Sequence, residues 1–127
     1  MTVWLRLKLI LAIHDEQLVE HGGSAGLRDA GLLESALARP QNHAAYGDPD
    51  NAELGALYAL GIARNHPFVD GNKRTAFAAL FMFVDLNDMT FEPLEVDAAV
   101  TMLGMAAGEI SDAEFIAWVR QHARKQP

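Results

Sequence analysis

The sequence predicts a single all-α domain, residues 1–127, of about six helices packed around a buried central helix. Three observations carry that expectation. Asp, Ser, Pro and Gly recur at positions where helices start and stop. Between them the apolar residues follow helical spacing, and Ala76-Phe77-Ala78-Ala79-Leu80-Phe81-Met82-Phe83-Val84 is apolar on every side, which suits a helix in the middle of a fold. Finally, 127 residues, 50% hydrophobic and 21% charged with no cysteine, suit one globular core that forms without disulfides or a Cys-rich metal site.

The first helix is expected over about residues 7 to 21, with Gly22-Gly23 as its stop. The alternation Leu5-Arg6-Leu7-Lys8-Leu9 would also suit a short strand. Asp29 is placed to cap a second helix that carries Leu32, Leu33, Ala36 and Leu37 on one face and is closed by Pro40, leaving a loop to Asp50. Asp48-Pro49 reads as N-cap and first position of a third helix, running through Leu54, Leu57 and Ile62 to Arg64 and ended by Pro67. The fourth helix, the all-apolar one, begins near Asn72. After an extended piece around Phe91-Glu92-Pro93, a fifth helix covers about Val96 to Ala107 and stops at Gly108. Ser111-Asp112-Ala113-Glu114 forms a capping box for a sixth, which ends in the basic stretch Arg120 to Lys125.

The formal charge of -7 repels phosphate backbones and anionic lipid heads, so direct nucleic-acid binding is not expected. The apolar start is broken by Arg6 and Lys8, and Leu9 to Ile13 is too short for a signal peptide or membrane anchor. A soluble, cytoplasmic protein is the expectation.

Charge runs the other way in one segment. Residues 64 to 74 hold Arg64, Lys73 and Arg74 against Asp70 alone, whereas the rest of the chain has seven cations against sixteen acids. Lys73 and Arg74 fall in the first turn of a helix, where the macrodipole disfavours cations, so a bound anion is expected to compensate them. Free backbone N–H groups at that helix start, approached across Gly71, suit a nucleotide phosphate. His66 suits a general base near neutral pH. Asp70 offers the single carboxylate that Mg²⁺ needs when phosphates and water supply its other ligands, and Phe68 reads as the loop's hydrophobic anchor.

His66-Pro67-Phe68-Val69-Asp70-Gly71-Asn72-Lys73-Arg74 resembles the signature of the Fic/Doc family. His14-Asp15, Gly22-Gly23, Gly26-Leu27-Arg28-Asp29, Leu33-Glu34-Ser35-Ala36-Leu37 and Ala107-Gly108-Glu109-Ile110-Ser111 look like its Doc (death on curing) branch, the toxins of Phd–Doc toxin–antitoxin systems. The resemblance implies an ATP- and Mg²⁺-dependent enzyme acting on a protein hydroxyl. It implies His66 as catalytic base, Asp70 on Mg²⁺, and Gly71, Asn72, Lys73 and Arg74 on the phosphates, with Arg64 a candidate for a further phosphate contact. Lys73 stands where AMP-transferring Fic enzymes have glycine, and Phe77 where a second arginine is usual. Both departures favour the Doc activity, a Ser/Thr protein kinase that passes the γ-phosphate to a threonine of elongation factor Tu and stops translation. The alternatives are a Fic-type AMP transferase and a non-catalytic module that binds antitoxin or nucleotide. The family's self-inhibitory pattern is absent, so restraint is expected from a small Phd-like antitoxin whose C-terminal segment folds into a groove of this chain.

Other polar residues read as structural. His14-Asp15 invites an HD-type metal site, but no histidine precedes it to complete one, and His14 reads as structural. His21, His43 and His122 read as surface residues, Gly22 to Gly26 as helix stop and loop, and the Arg120, Arg124, Lys125 cluster as complement to a helix dipole. The stretch from Arg39 to Asp50, with Tyr46, corresponds in position to the flap that aligns target peptides in Fic proteins.

Overall fold

The computed structural model describes all residues, Met1–Pro127. Six helices follow one another: α1 (Leu7–His21), α2 (Ala30–Tyr46), α3 (Asn51–Asn65), α4 (Asn72–Leu86), α5 (Glu95–Ala106) and α6 (Asp112–His122). Two three-residue strands, β1 (Met89–Phe91) and β2 (Ala123–Lys125), pair antiparallel with Thr90 opposite Arg124. The all-α class holds, and the caps explain the starts. Asp29 accepts the N–H of Leu32 at the head of α2, and Ser111 and Glu114 form the reciprocal capping box of α6.

The central helix is α3 rather than α4. Eleven of the fifteen α3 residues are buried, against seven of fifteen in α4, where Phe81 reaches solvent. Apolarity alone points to α4, but α3 carries Ala52, Gly55, Ala56, Ala59, Gly61 and Ala63, and such small residues let neighbours close in on every side. Helices α2, α4, α5 and α6 all pack on α3, and α1 packs on α4. Twenty-six buried residues form one hydrophobic cluster through these layers.

Two expected boundaries fail, the first for a tertiary reason. Pro40 does not close α2, which continues to Tyr46 with Pro40 buried inside it. The carbonyl that a proline leaves without its usual donor belongs to Ala36, and it lies against the bare backbone of Gly61 on α3. So the segment expected as a loop and flap is mostly helix, with Tyr46 93% exposed at its end. Likewise α3 is capped by Asp50, whose Oδ1 accepts the N–H of Glu53 at 2.8 Å, and not by Asp48. Asp50 is also held from α6, accepting Arg120 Nε at 2.8 Å, so Arg120 serves the start of α3 and not merely its own helix end. The basic tail leaves the helix after His122 to become β2, and the extended piece shifts to β1, ending on the buried Phe91.

The α2–α3 contact makes a graded prediction. A Cβ on Gly61 would lie 3.0 Å from Ala36 Cβ and 3.1 Å from its Cα, atoms that cannot move without moving α2. Gly61→Ala is therefore expected to destabilise by about 1–3 kcal/mol of overpacking, more than the roughly 1 kcal/mol gained in helix propensity. Gly55→Ala meets side-chain atoms and no backbone, Leu80 Cδ1 at 2.9 Å, Val84 Cγ1 at 3.2 Å and Phe83 Cδ2 at 3.5 Å, and should cost less. Thermal unfolding of both variants checks this; a Gly61→Ala protein as stable as the parent would overturn it.

Two carboxylates link the helices to solvent pH. Asp50 is held below its ordinary 3.8 mainly by the bond from Arg120, and Asp112 below the same value mainly by the bond from Arg39, with Arg64 adding to it. Depressed native values mean that this stabilisation is present above pH 3.8 and is lost as the pH falls through the lower native values. Urea unfolding should therefore show Asp112→Asn losing less stability on acidification below 3.8 than the parent; parallel losses would count against the linkage.

Candidate active site

The segment between α3 and α4 is short, and each of its residues has a distinct duty. α3 ends at His66, a non-glycine residue in the left-handed region (φ 52°, ψ 54°) whose N–H still reaches Ile62 O at 3.2 Å. Such a conformation costs on the order of 1–3 kcal/mol and persists only where its surroundings hold it. The exposed imidazole of His66 has no hydrogen-bond partner within the protein, so both ring nitrogens are free to meet a ligand.

Phe68 is 1% exposed and anchors the turn. Its ring stacks on that of His14 from α1, centroids 3.7 Å apart and planes 7° from parallel. Asn72 clasps the same residue, its Oδ1 accepting Phe68 N–H and its Nδ2 donating to Phe68 O, each at 2.9 Å. The Asn72 side chain is thus committed to the loop, and its backbone N–H is the group left to meet a phosphate. His14 Nε2 lies 2.8 Å from Asp70 O. A carbonyl only accepts, so Nε2 carries the proton. The structural reading of His14 stands, but the structure adds a definite object for it, the backbone of the loop.

The strand-like segment between α1 and α2 closes over this turn. Leu27 and Phe68 form an antiparallel bridge, Val69 N–H donates to Gly26 O at 3.0 Å, and the N–H groups of Arg28 and Asp29 share Pro67 O. The Asp70 carboxylate accepts Gly71 N–H at 2.9 Å and Ser24 N–H at 3.2 Å. These bonds, Ser24 first and Gly71 next, with the charge of Arg74 adding to them, hold its carboxyl below the usual carboxylate range. Gly23 lies so close that a Cβ there would come 2.9 Å from Asp70 Oδ2, whereas Gly22 (φ 78°) has open space around it and is the stop of α1.

Beyond Asp70 the chain turns at Gly71 (φ 78°) into α4. The first intrahelical bond is Thr75 N–H to Gly71 O, so the N–H groups of Asn72, Lys73 and Arg74 have no protein acceptor. The exposed side chains of Lys73 and Arg74 rise from the same turn. Positive dipole end, free donors and two cations are together an arrangement for an anion. Two grooves flank α4 and share Arg74, Phe77 and Phe81. One of about 670 Å³ runs towards α1 and β1, and one of about 550 Å³ runs towards α5 past Lys73, Met102 and Leu103.

Arg64 takes no part in this cluster. Its guanidinium pairs with Asp112 and donates to Met105 O at 3.2 Å and Ile110 O at 2.7 Å, tying α3 to the α5–α6 connection. The expected phosphate contact from Arg64 is therefore replaced by a structural one. Sequence reasoning assigns no role to Arg28, although its guanidinium caps the carbonyls of Asn65 and His66. No local signal marks it, because the partners lie 37 and 38 residues away.

Comparison with known proteins identifies the family to which the chain belongs. The Fic/DOC family model matches residues 4–84, more than half of the chain, from just before α1 through the apolar body of α4. Protein kinase doc of Escherichia phage P1 is 36% identical over 104 residues, covering 80% of this chain and 81% of that protein. Toxin Doc of Mycolicibacterium smegmatis is 38% identical over 103 residues, covering 78% of each. The signature turn, the segment that closes over it, all of α3 and α4 as far as Val84 fall inside the family match, and the chain belongs to the Fic/Doc family.

Proposed function

We propose that this chain is the toxin of a type II toxin–antitoxin module and that it transfers the γ-phosphate of ATP to a Ser or Thr hydroxyl of a translation factor, elongation factor Tu being the expected target. The observation that carries the reading is the placement, within one turn, of an unpartnered imidazole, an ionised carboxylate and a helix start with three free N–H groups and two cations. The names of the two relatives support a toxin and a protein kinase.

In this reading His66 accepts the proton of the target hydroxyl as its oxygen forms a bond to the γ-phosphorus. The bond from that phosphorus to the bridging oxygen breaks, and ADP leaves with the electron pair. The backbone N–H groups of Asn72, Lys73 and Arg74, with the Lys73 and Arg74 side chains, stabilise charge on the phosphate oxygens without reorganising. The Asp70 carboxylate would hold Mg²⁺. It fits because two backbone donors keep it ionised and aimed while it stays exposed, and a metal carried on phosphates needs only one or two protein carboxylates. When bound, the ion neutralises charge on the phosphates.

Phe77 favours phosphoryl over AMP transfer. It sits in a T-shaped contact with Phe81 at 4.9 Å on the groove floor, so the second turn of α4 offers apolar surface where AMP-transferring relatives have an arginine. Purified protein with elongation factor Tu, Mg²⁺ and ATP labelled at either the α- or the γ-phosphate tests the reading. Label from the γ position alone is the expected result. Label from the α position would make the chain an AMP transferase, and none from either would remove elongation factor Tu as the target or point to the non-catalytic binding module. A Phd-like antitoxin is the expected partner, its C-terminal segment lying in an apolar groove beside α4. Co-expression tests it: a neighbouring gene product that neither restores growth nor co-purifies would rule it out.

A further inference from the structure

The base-bearing end of the turn is held by a group that belongs neither to the turn nor to α4. Arg28, in the segment between α1 and α2, donates from Nε to His66 O at 2.7 Å and from an Nη to Asn65 O at 2.9 Å. One planar guanidinium thus takes two successive carbonyls at the C-terminus of α3, where the helix dipole is negative and the last carbonyls lack intrahelical donors. The second of these carbonyls belongs to the left-handed His66 itself. The backbone of Arg28 is fixed on the same turn through Pro67 O at 2.7 Å, so the side chain reaches back from an already anchored point.

We propose that Arg28 is a positioning residue for His66: it holds the left-handed backbone of the proposed base and thereby the place of its imidazole, without touching nucleotide or target. This rests on the reading of His66 as the base. The other end of the turn has separate supports, since Asp70 is held by His14, Ser24 and Gly71. Loss of Arg28 should therefore move the base and leave the metal and phosphate end in place.

The test compares the parent with Arg28→Ala and Arg28→Lys. In Arg28→Ala, kcat for transfer should fall roughly 10–100-fold, the scale on which misplacement of a catalytic group acts, while KM for ATP and the calorimetric affinity for Mg²⁺–ATP stay as in the parent. Guanidinium ion, too dilute to unfold the protein, should restore part of the Arg28→Ala rate where methylammonium does not. Arg28→Lys, a single-point donor, should fall between parent and alanine variant. The ¹³Cα and ¹³Cβ shifts of His66 in the ligand-free protein should leave their left-handed values in Arg28→Ala, while those of Asp70 hold. Unchanged kcat with unchanged His66 shifts would overturn the proposal, as would a loss confined to KM. Should Arg28→Ala fail to fold, Arg28→Lys decides on the same kcat and shift readings. If the parent itself transfers nothing, the kinase reading fails, and the His66 shifts alone support or overturn the positioning role.

Discussion

Replacing His66 should cut transfer by roughly 10²–10⁴-fold, the usual cost of removing a general base, and should leave Mg²⁺–ATP binding as it was. Alanine is a poor single test, because residue 66 is left-handed (φ 52°) and a change there strains the cap of α3. Asparagine tolerates that conformation, keeps the backbone carbonyl that Arg28 holds, and cannot act as a base near neutral pH. His66→Asn and His66→Ala should then share the loss of transfer, with His66→Asn closer to the parent in melting temperature. In cells both variants should lose the growth arrest expected of the parent expressed alone. A His66→Asn protein that transfers phosphate at the parental rate would remove His66 from the chemistry.

The second large effect belongs to Asp70. Asp70→Asn removes the charge but keeps a carbonyl oxygen for one of the two backbone donors, Gly71 or Ser24. Its amide group faces the other donor and cannot accept from it. The turn should nevertheless persist, since His14 holds the main chain of residue 70, a contact the substitution does not alter. Removing a ligand should cost at least as much as the roughly 10–100-fold lost when only a ligand's supporting partner is changed. Calorimetry should therefore show affinity for Mg²⁺–ATP falling by that factor or more, while ATP without the metal binds as it does to the parent. Equal losses with and without Mg²⁺ would point to collapse of the phosphate cradle, and unchanged affinity would remove Asp70 from the metal.

Features encoded over a few residues are legible in the chain alone. Asp29, Ser111 and Glu114 cap where their spacing says they should, because a cap bonds a backbone group within three residues and needs nothing distant. The free donors and cations gathered at the α4 start are legible for the same reason: a helix terminus and the charges in its first turn are set by neighbours in the chain. Asn72 escapes such a reading because its partner, though only four residues away, is reached by a side chain turning back on its own loop. A sequence pattern names the residue and leaves that direction open. Pro40 escapes it because the rule that proline ends a helix has no knowledge of Gly61, against which the orphaned end of the bond is packed.

By itself, then, the sequence determined the all-α class, the caps of α2 and α6, the signature turn and the residue types gathered in it, all properties of short range along the chain. Tertiary structure decided which helix is central, because small residues on α3 become an advantage only when four other helices close on them. It also turned the basic tail into a strand against β1, more than thirty residues away, and withdrew Arg64 to Asp112, 48 residues on. Above all it set the frame of the turn. His14 reaches Asp70 across 56 residues and Arg28 reaches His66 across 38. Bonds of that span exist only after the entropy of closing the chain has been overcome by the packing of the core, so no local pattern announces them.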